Sequence, residues 1–195
     1  RYCHEWIQTL HKIVVREPLR VKKDGRLKVL YMERGADRHG QLRDSIERTL
    51  LTVAKLDFVN LAYKPHPRSN RVHLTELIGN VTITPEADSV NLVRWADAVI
   101  GTVSSVLVEA LVQDRTLIYP AFFDDEKMLF DEFGACWRVE NLDELLFALK
   151  TLHGGRTERP YGREALMRFE EMAILGGEVD RDVLRRLARR RRRHD

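Results

Sequence analysis

The chain has 195 residues, 44% of them hydrophobic and 32% charged, with a formal net charge of +3. That length suits one domain with a sizeable core, and the balance is that of an ordinary globular protein rather than a disordered chain. No apolar run approaches the ~20 residues of a membrane-spanning helix, and the polar opening Arg1–Glu5 leads into no apolar leader segment.

Residues 2–15 carry Trp6, Ile7, Leu10, Ile13 and Val14 at helical spacing, ended by Pro18, with a turn at Asp24-Gly25. The period then changes. Residues 27–32 (LKVLYM) read as a buried strand and residues 41–56 as an amphipathic helix. A second strand is predicted over 58–63, a short helical or irregular piece over 72–78, and a third strand over 81–83. A helix over 89–96 leads to a fourth strand, 98–102. A helix from Ser105 to Val112 leads to a fifth, 116–119. Residues 136–139 make a sixth strand, and a helix over 142–152 follows. Cys136, between Ala135 and Trp137, fits a buried free thiol. Neither it nor Cys3 belongs to a C-x-x-C pair, which points to a reducing, cytosolic compartment.

Strands alternating with helices imply βαβ units and an α/β fold, a Rossmann-like doubly wound parallel sheet. Residues 1–26 read as a helix and linker, 27–152 as the Rossmann-like domain, and 153–195 as a helical appendage with stretches over 163–175 and 179–192. The appendage ends in a basic tail, Arg185 to Arg193, with seven arginines. Against a total of +3, the rest of the chain carries −4. A mildly acidic body argues against a nucleic-acid-binding fold. The tail is dense enough to bind anionic lipid head groups; nucleic-acid contact and a disordered, solvated end are the alternatives, and the last is what chain termini ordinarily give.

Ligands of such sheets bind beyond the carboxyl ends of the strands. Two loops there hold the chemistry. In WADAVIGTVSSVLVEAL a strand ends at Gly101-Thr102, and Ser104 and Ser105 open a helix. Backbone N–H groups, a positive dipole end and hydroxyl donors suit a phosphate. Glu109, one turn on, can accept both hydroxyls of a ribose. An N-cap at Ser104 and a solvated first-turn acid at Glu109 explain the same residues equally well. In the second loop, Lys64-Pro65-His66-Pro67-Arg68, prolines stiffen the chain while Lys64, His66 and Arg68 face an anion. Together the loops make a diphosphate clamp.

The combination KPHPR, ADAVIGTVSSVLVEAL and LIYP resembles the C-terminal domain of GT-B glycosyltransferases. It is nearest to bacterial enzymes of surface-polysaccharide assembly: capsule Kdo transferases, sialyltransferases with a His-Pro motif, and CDP-glycerol glycerophosphotransferases. The resemblance spans residues 27–152, by pattern rather than close identity. It implies a donor activated by CMP, CDP or UDP, with His66 near its phosphate, Ser104 and Ser105 on phosphate, and Glu109 at the ribose or base. It also implies an N-terminal acceptor domain, supplied in cis or in trans, without which the chain does not catalyse transfer. It implies no bound metal and no cofactor beyond the donor, and a cytoplasmic enzyme, with the basic tail suited to the inner face of the membrane. Two other readings remain: a UDP-N-acetylglucosamine 2-epimerase-like domain, and a non-catalytic binding or assembly domain.

Arg34 and Pro67 are lesser candidates. Arg34 lies in a loop, Glu33–Gly40, that has no G-x-G-x-x-G spacing and fits a plain connection. Asp124, Asp125 and Glu126 follow the fifth strand, where a solvated acidic loop is the simpler explanation.

Overall fold

The computed structural model describes residues 25–33, 40–66, 81–83, 88–102, 104, 106–123, 128–155 and 159–174. The predicted helices over 2–15 and 179–192, the piece over 72–78, the acids at 124–126 and the arginine tail lie outside the described residues.

The six strands are β1 (Leu27–Met32), β2 (Val59–Lys64), β3 (Val81–Ile83), β4 (Ala98–Ile100), β5 (Thr116–Pro120) and β6 (Trp137–Val139). They form one sheet in the order β3-β2-β1-β4-β5-β6, and every neighbouring pair is parallel. The helices are α1 (Gly40–Ala54), α2 (Ser89–Trp95), α3 (Val106–Val112), α4 (Leu129–Glu132), α5 (Leu142–His153) and α6 (Arg163–Phe169). The expected doubly wound, Rossmann-like α/β sheet is the fold observed.

Continuous apolar strands arise because both sheet faces are covered. Alternate residues of β1 feed separate cores. Leu27, Val29 and Tyr31 pack with Leu50, Val53 and Ala54 of α1 and with Leu145, Ala148, Leu149 and Leu152 of α5. Leu30 and Met32 pack on the other face with Leu92 and Val93 of α2, Leu107 and Leu111 of α3, and Phe130 of α4. The spacing Leu50, Val53, Ala54 is the apolar stripe that made α1 legible. Asn141 caps α5, its side chain accepting from the Glu144 N–H at 2.9 Å, while the Glu144 carboxylate accepts from the Glu140 N–H at 2.8 Å.

Two expectations need correction, and two short elements add to the predicted set. The fourth strand stops at Ile100, because the chain turns out of the sheet at Gly101-Thr102. Ala121–Phe123 forms a 3-10 turn and Leu129–Glu132 a one-turn helix, both too short to leave a periodic signal. The helix over 163–175 is α-helical only to Phe169 and continues as a π-helical stretch, Glu170–Ile174.

The segment from Arg159 is bound into the domain. Arg159 donates to the Asp114 carboxylate at 2.7 Å and to its carbonyl at 2.6 Å, holding a turn in which Asp114 has a φ of 56°. Phe169 is buried in the α2–α3 core, its ring 6.2 Å from that of Phe133. The buried Tyr161 hydroxyl accepts from the Leu117 N–H at 3.0 Å. Leu117 lies one residue before β6 begins pairing at Ile118, so the tyrosine supplies the partner the sheet lacks. Tyr161→Phe should therefore lower unfolding free energy by about 1–2 kcal/mol, read from the urea midpoint. An unchanged midpoint would show that another group takes the Leu117 N–H.

Candidate functional site

Topology sets the place. The sheet order reverses between β1 and β4, and in doubly wound sheets the carboxyl ends of the strands at such a reversal are where ligands bind. Register keeps three strand ends level. Lys64 pairs with Met32, and Ile100 pairs with Tyr31, so Gly101 stands beside Met32. A Cβ on Gly101 would lie 2.8 Å from Leu107 Cδ2 and 3.4 Å from the Met32 carbonyl oxygen, so glycine lets β4 approach both β1 and α3. The basic loop after β2 and the hydroxyl loop after β4 thus leave the same sheet edge. They are separated by β1, or roughly 10 Å at two inter-strand spacings.

Lys64 is buried as the last residue of β2, and the half-buried His66 follows it by two residues. The His66 main-chain N–H donates to the Glu33 carboxylate at 2.7 Å. Thr102 is buried at the turn out of β4. The Ser104 hydroxyl accepts from the Val106 N–H at 3.3 Å, and its carbonyl accepts from the Leu107 N–H at 3.2 Å. The serine therefore does cap the start of α3. Arg34, Pro67, Arg68 and Ser105 lie outside the described residues.

Glu109 is not a solvated acid. It is 7% exposed, and its Oε2 is buried with no hydrogen-bond partner among the described residues. Burial raises its carboxyl to about pKa 7, and the charge of Asp88 adds to the rise. Asp88 is itself fixed as the N-cap of α2, accepting from the Asn91 N–H at 3.0 Å. One turn after Glu109, the Gln113 amide reaches the Val90 carbonyl at 3.4 Å, so this face of α3 runs along α2.

Two groups at this edge escaped the sequence reading. Glu33, the first residue after β1, holds His66; an acid closing a buried central strand was the available signal. Tyr63 donates its hydroxyl to the same carboxylate, and its ring stacks on Tyr31 with centroids 5.7 Å apart. Both phenols are held well above their usual pKa, first by burial and then by the charge of Glu33. Among the described residues, no three His, Cys, Asp or Glu side chains gather as metal ligands, and no helix is long and apolar enough to cross a membrane.

The sheet and its crossovers define a Rossmann-like α/β domain. No family model matches the sequence, and no curated protein matches it. Solved structures do share the fold. A glycotransferase of kitacinnamycin superposes with a TM-score of 0.52 at 18% identity, over 85% of this chain and 44% of that one. The UDP-GlcNAc 2-epimerase of Methanocaldococcus jannaschii gives 0.53 at 17%, over 88% and 50%. A trehalose-6-phosphate synthase gives 0.50 at 11%, over 88% and 46%. The chain spans about half the length of these structures, and at such identities the likeness is one of fold: a Rossmann-like half of the GT-B architecture.

The Glu109 carboxyl gives a stability test. Folding raises its pKa from 4.5 to about 7, so the folded state holds the proton more tightly than the unfolded chain. Its contribution is most favourable below about pH 4.5 and is lost as pH climbs to about 7, a swing on the order of 3 kcal/mol. Glu109→Gln should gain on wild type in urea denaturation between about pH 5 and about pH 8. Parallel stability curves for the two proteins would contradict the burial of this carboxyl.

Proposed function

We propose that the crevice between β1 and β4 binds a nucleotide-activated sugar or polyol, and that the chain is the donor-binding half of a GT-B-type glycosyltransferase. The observation that carries this is the Oε2 of Glu109. A buried carboxylate oxygen with no partner, one turn into the helix after β4, is completed by a ligand that brings hydroxyl groups. A ribose does so with its vicinal diol. The proposal puts the His66 imidazole on the donor phosphate from the β2 side, with Lys64 and Arg68 adding positive charge. Thr102, Ser104 and Ser105 face it from the β4 side. Charge growing on the leaving phosphate as the donor bond breaks would be stabilised by these fixed donors.

The wider role is proposed with it. The donor is a CMP-, CDP- or UDP-linked sugar or polyol phosphate of surface-polysaccharide synthesis, as the His-Pro and Ser-Ser motifs suggest. An acceptor domain, in cis or in trans, completes the catalytic cleft, and the arginine tail meets anionic lipid at the inner face of the membrane. The epimerase-like reading is the second one. It is favoured by the fold shared with the Methanocaldococcus jannaschii UDP-GlcNAc 2-epimerase. It predicts a preference for UDP-GlcNAc over CMP and CDP.

Calorimetry with CMP, CDP, UDP and UDP-GlcNAc tests the proposal. Wild type should bind at least one of them. His66→Ala and Ser104→Ala should each weaken that binding by about tenfold, the equivalent of one charge-assisted hydrogen bond, with the melting temperature nearly unchanged in His66→Ala and lowered by about 2–4 °C in Ser104→Ala, which also loses the cap of α3. No binding by the folded wild-type chain to any of the four would sink the proposal.

A further inference from the structure

We propose that Glu33 is a positioning residue that sets the geometry of the Lys64–His66 corner by bracing its main chain from the neighbouring strand. The observation is a carboxylate shared between two donors of β2 and its exit. The Glu33 carboxylate accepts the His66 N–H at 2.7 Å and also the Tyr63 hydroxyl. The Glu33 N–H in turn donates to the Lys64 carbonyl at 3.0 Å. Residues 63, 64 and 66 are thus all tied to the one residue that follows β1.

The chemistry explains why an acid serves here. Beyond Lys64 the ladder between β1 and β2 has ended, and Pro65 has no N–H with which to prolong it. The first N–H available past the strand is that of His66. A neutral acceptor would hold it with an ordinary hydrogen bond, whereas an ionised carboxylate makes a charge-assisted one. The second acceptor site takes the Tyr63 hydroxyl, and stacking of Tyr63 on Tyr31 fixes that ring between adjacent strands. A carboxylate at the centre of an anion-binding edge would repel the ligand if its charge were undirected. Here its charge is directed at two donors, the Tyr63 hydroxyl and the His66 main-chain N–H. That the corner serves a donor phosphate rests on the function proposed above; the brace itself does not.

The wild-type chain, Glu33→Ala, Glu33→Gln and Tyr63→Phe should be compared by amide NMR and by calorimetry with CDP and UDP. Without nucleotide, Glu33→Ala should move the His66 amide proton upfield and speed its exchange with solvent about tenfold or more. Glu33→Gln, which keeps a carbonyl acceptor, should restore most of the protection, and Tyr63→Phe should fall between. If Glu33→Ala does not fold, Glu33→Asp carries the test, since a side chain one methylene shorter loses at least one of the two contacts. A His66 amide that is unaltered in whichever of these two variants folds overturns the brace, whatever the chain binds. With nucleotide, Glu33→Ala should weaken affinity by about tenfold and Glu33→Gln by less than about threefold. Equal affinity in wild type and Glu33→Ala overturns the positioning role. An altered His66 amide in a chain whose wild type binds neither nucleotide supports the brace and counts against the donor reading alone.

Discussion

Both faces of β1 must be kept from water, and most of the molecule follows from that requirement. A parallel strand has no two-residue return, so each pairing needs a crossover long enough to hold a helix. Placing β1 at the centre, with β2 on one side and β4 on the other, sends α1 to one face and α2 and α3 to the other. The reversal leaves a crevice where the two sets of loops part. Gly101 then allows β4 to lie against Met32 and Leu107, where any side chain would force them apart. Site geometry is thus a consequence of covering a sheet, and the loops contribute residues to a place the core has already made.

The two ends of the sheet treat buried acids differently. At the amino end Asp97 is 5% exposed, and its carboxylate accepts from the Lys28 N–H at 2.9 Å. Its own N–H returns to the Lys28 carbonyl at 2.8 Å, so this acid stitches β4 to β1. At the carboxyl end Glu109 has equal burial and a carboxylate oxygen with no partner. Among the described residues, unpaired buried side-chain atoms also occur on Gln113 and Thr116, toward the other end of α3 and the start of β5. Only in Glu109 does the unpaired atom belong to a carboxylate, for which desolvation costs most. Stability is surrendered at that point of the fold, and a raised pKa is how the protein limits the loss.

Much of the fold was legible because its signals are collective. Six short apolar runs and intervening helical stripes specify a covered parallel sheet even when each boundary is off by a residue or two. Single turns were not legible: Leu129–Glu132 has too few residues to show a period. Within the site, the sequence singled out His66, Ser104 and Glu109 by residue type and position after a strand. It passed over Glu33, because one acid in a loop with Arg34 and two glycines carries no pattern. Its partner is an N–H thirty-three residues away, and only strand pairing brings the two together. Tyr63 was hidden for the opposite reason, being one aromatic among the apolar residues of a strand, with its hydroxyl visible only in the fold.

Ser104 and Glu109 were each open to an ordinary structural explanation, and the fold separates them. Ser104 caps α3 through the Val106 N–H, so its presence is accounted for without a ligand. Glu109 has no such account. A solvated first-turn acid would be exposed and fully hydrated, and a core position would favour an apolar residue such as its neighbours Val108 and Ala110. A carboxylate oxygen that is buried and, among the described residues, unpaired is a cost to folding that packing does not require. That leaves the buried oxygen of the acid on α3 as the feature of this sheet edge that packing alone does not explain.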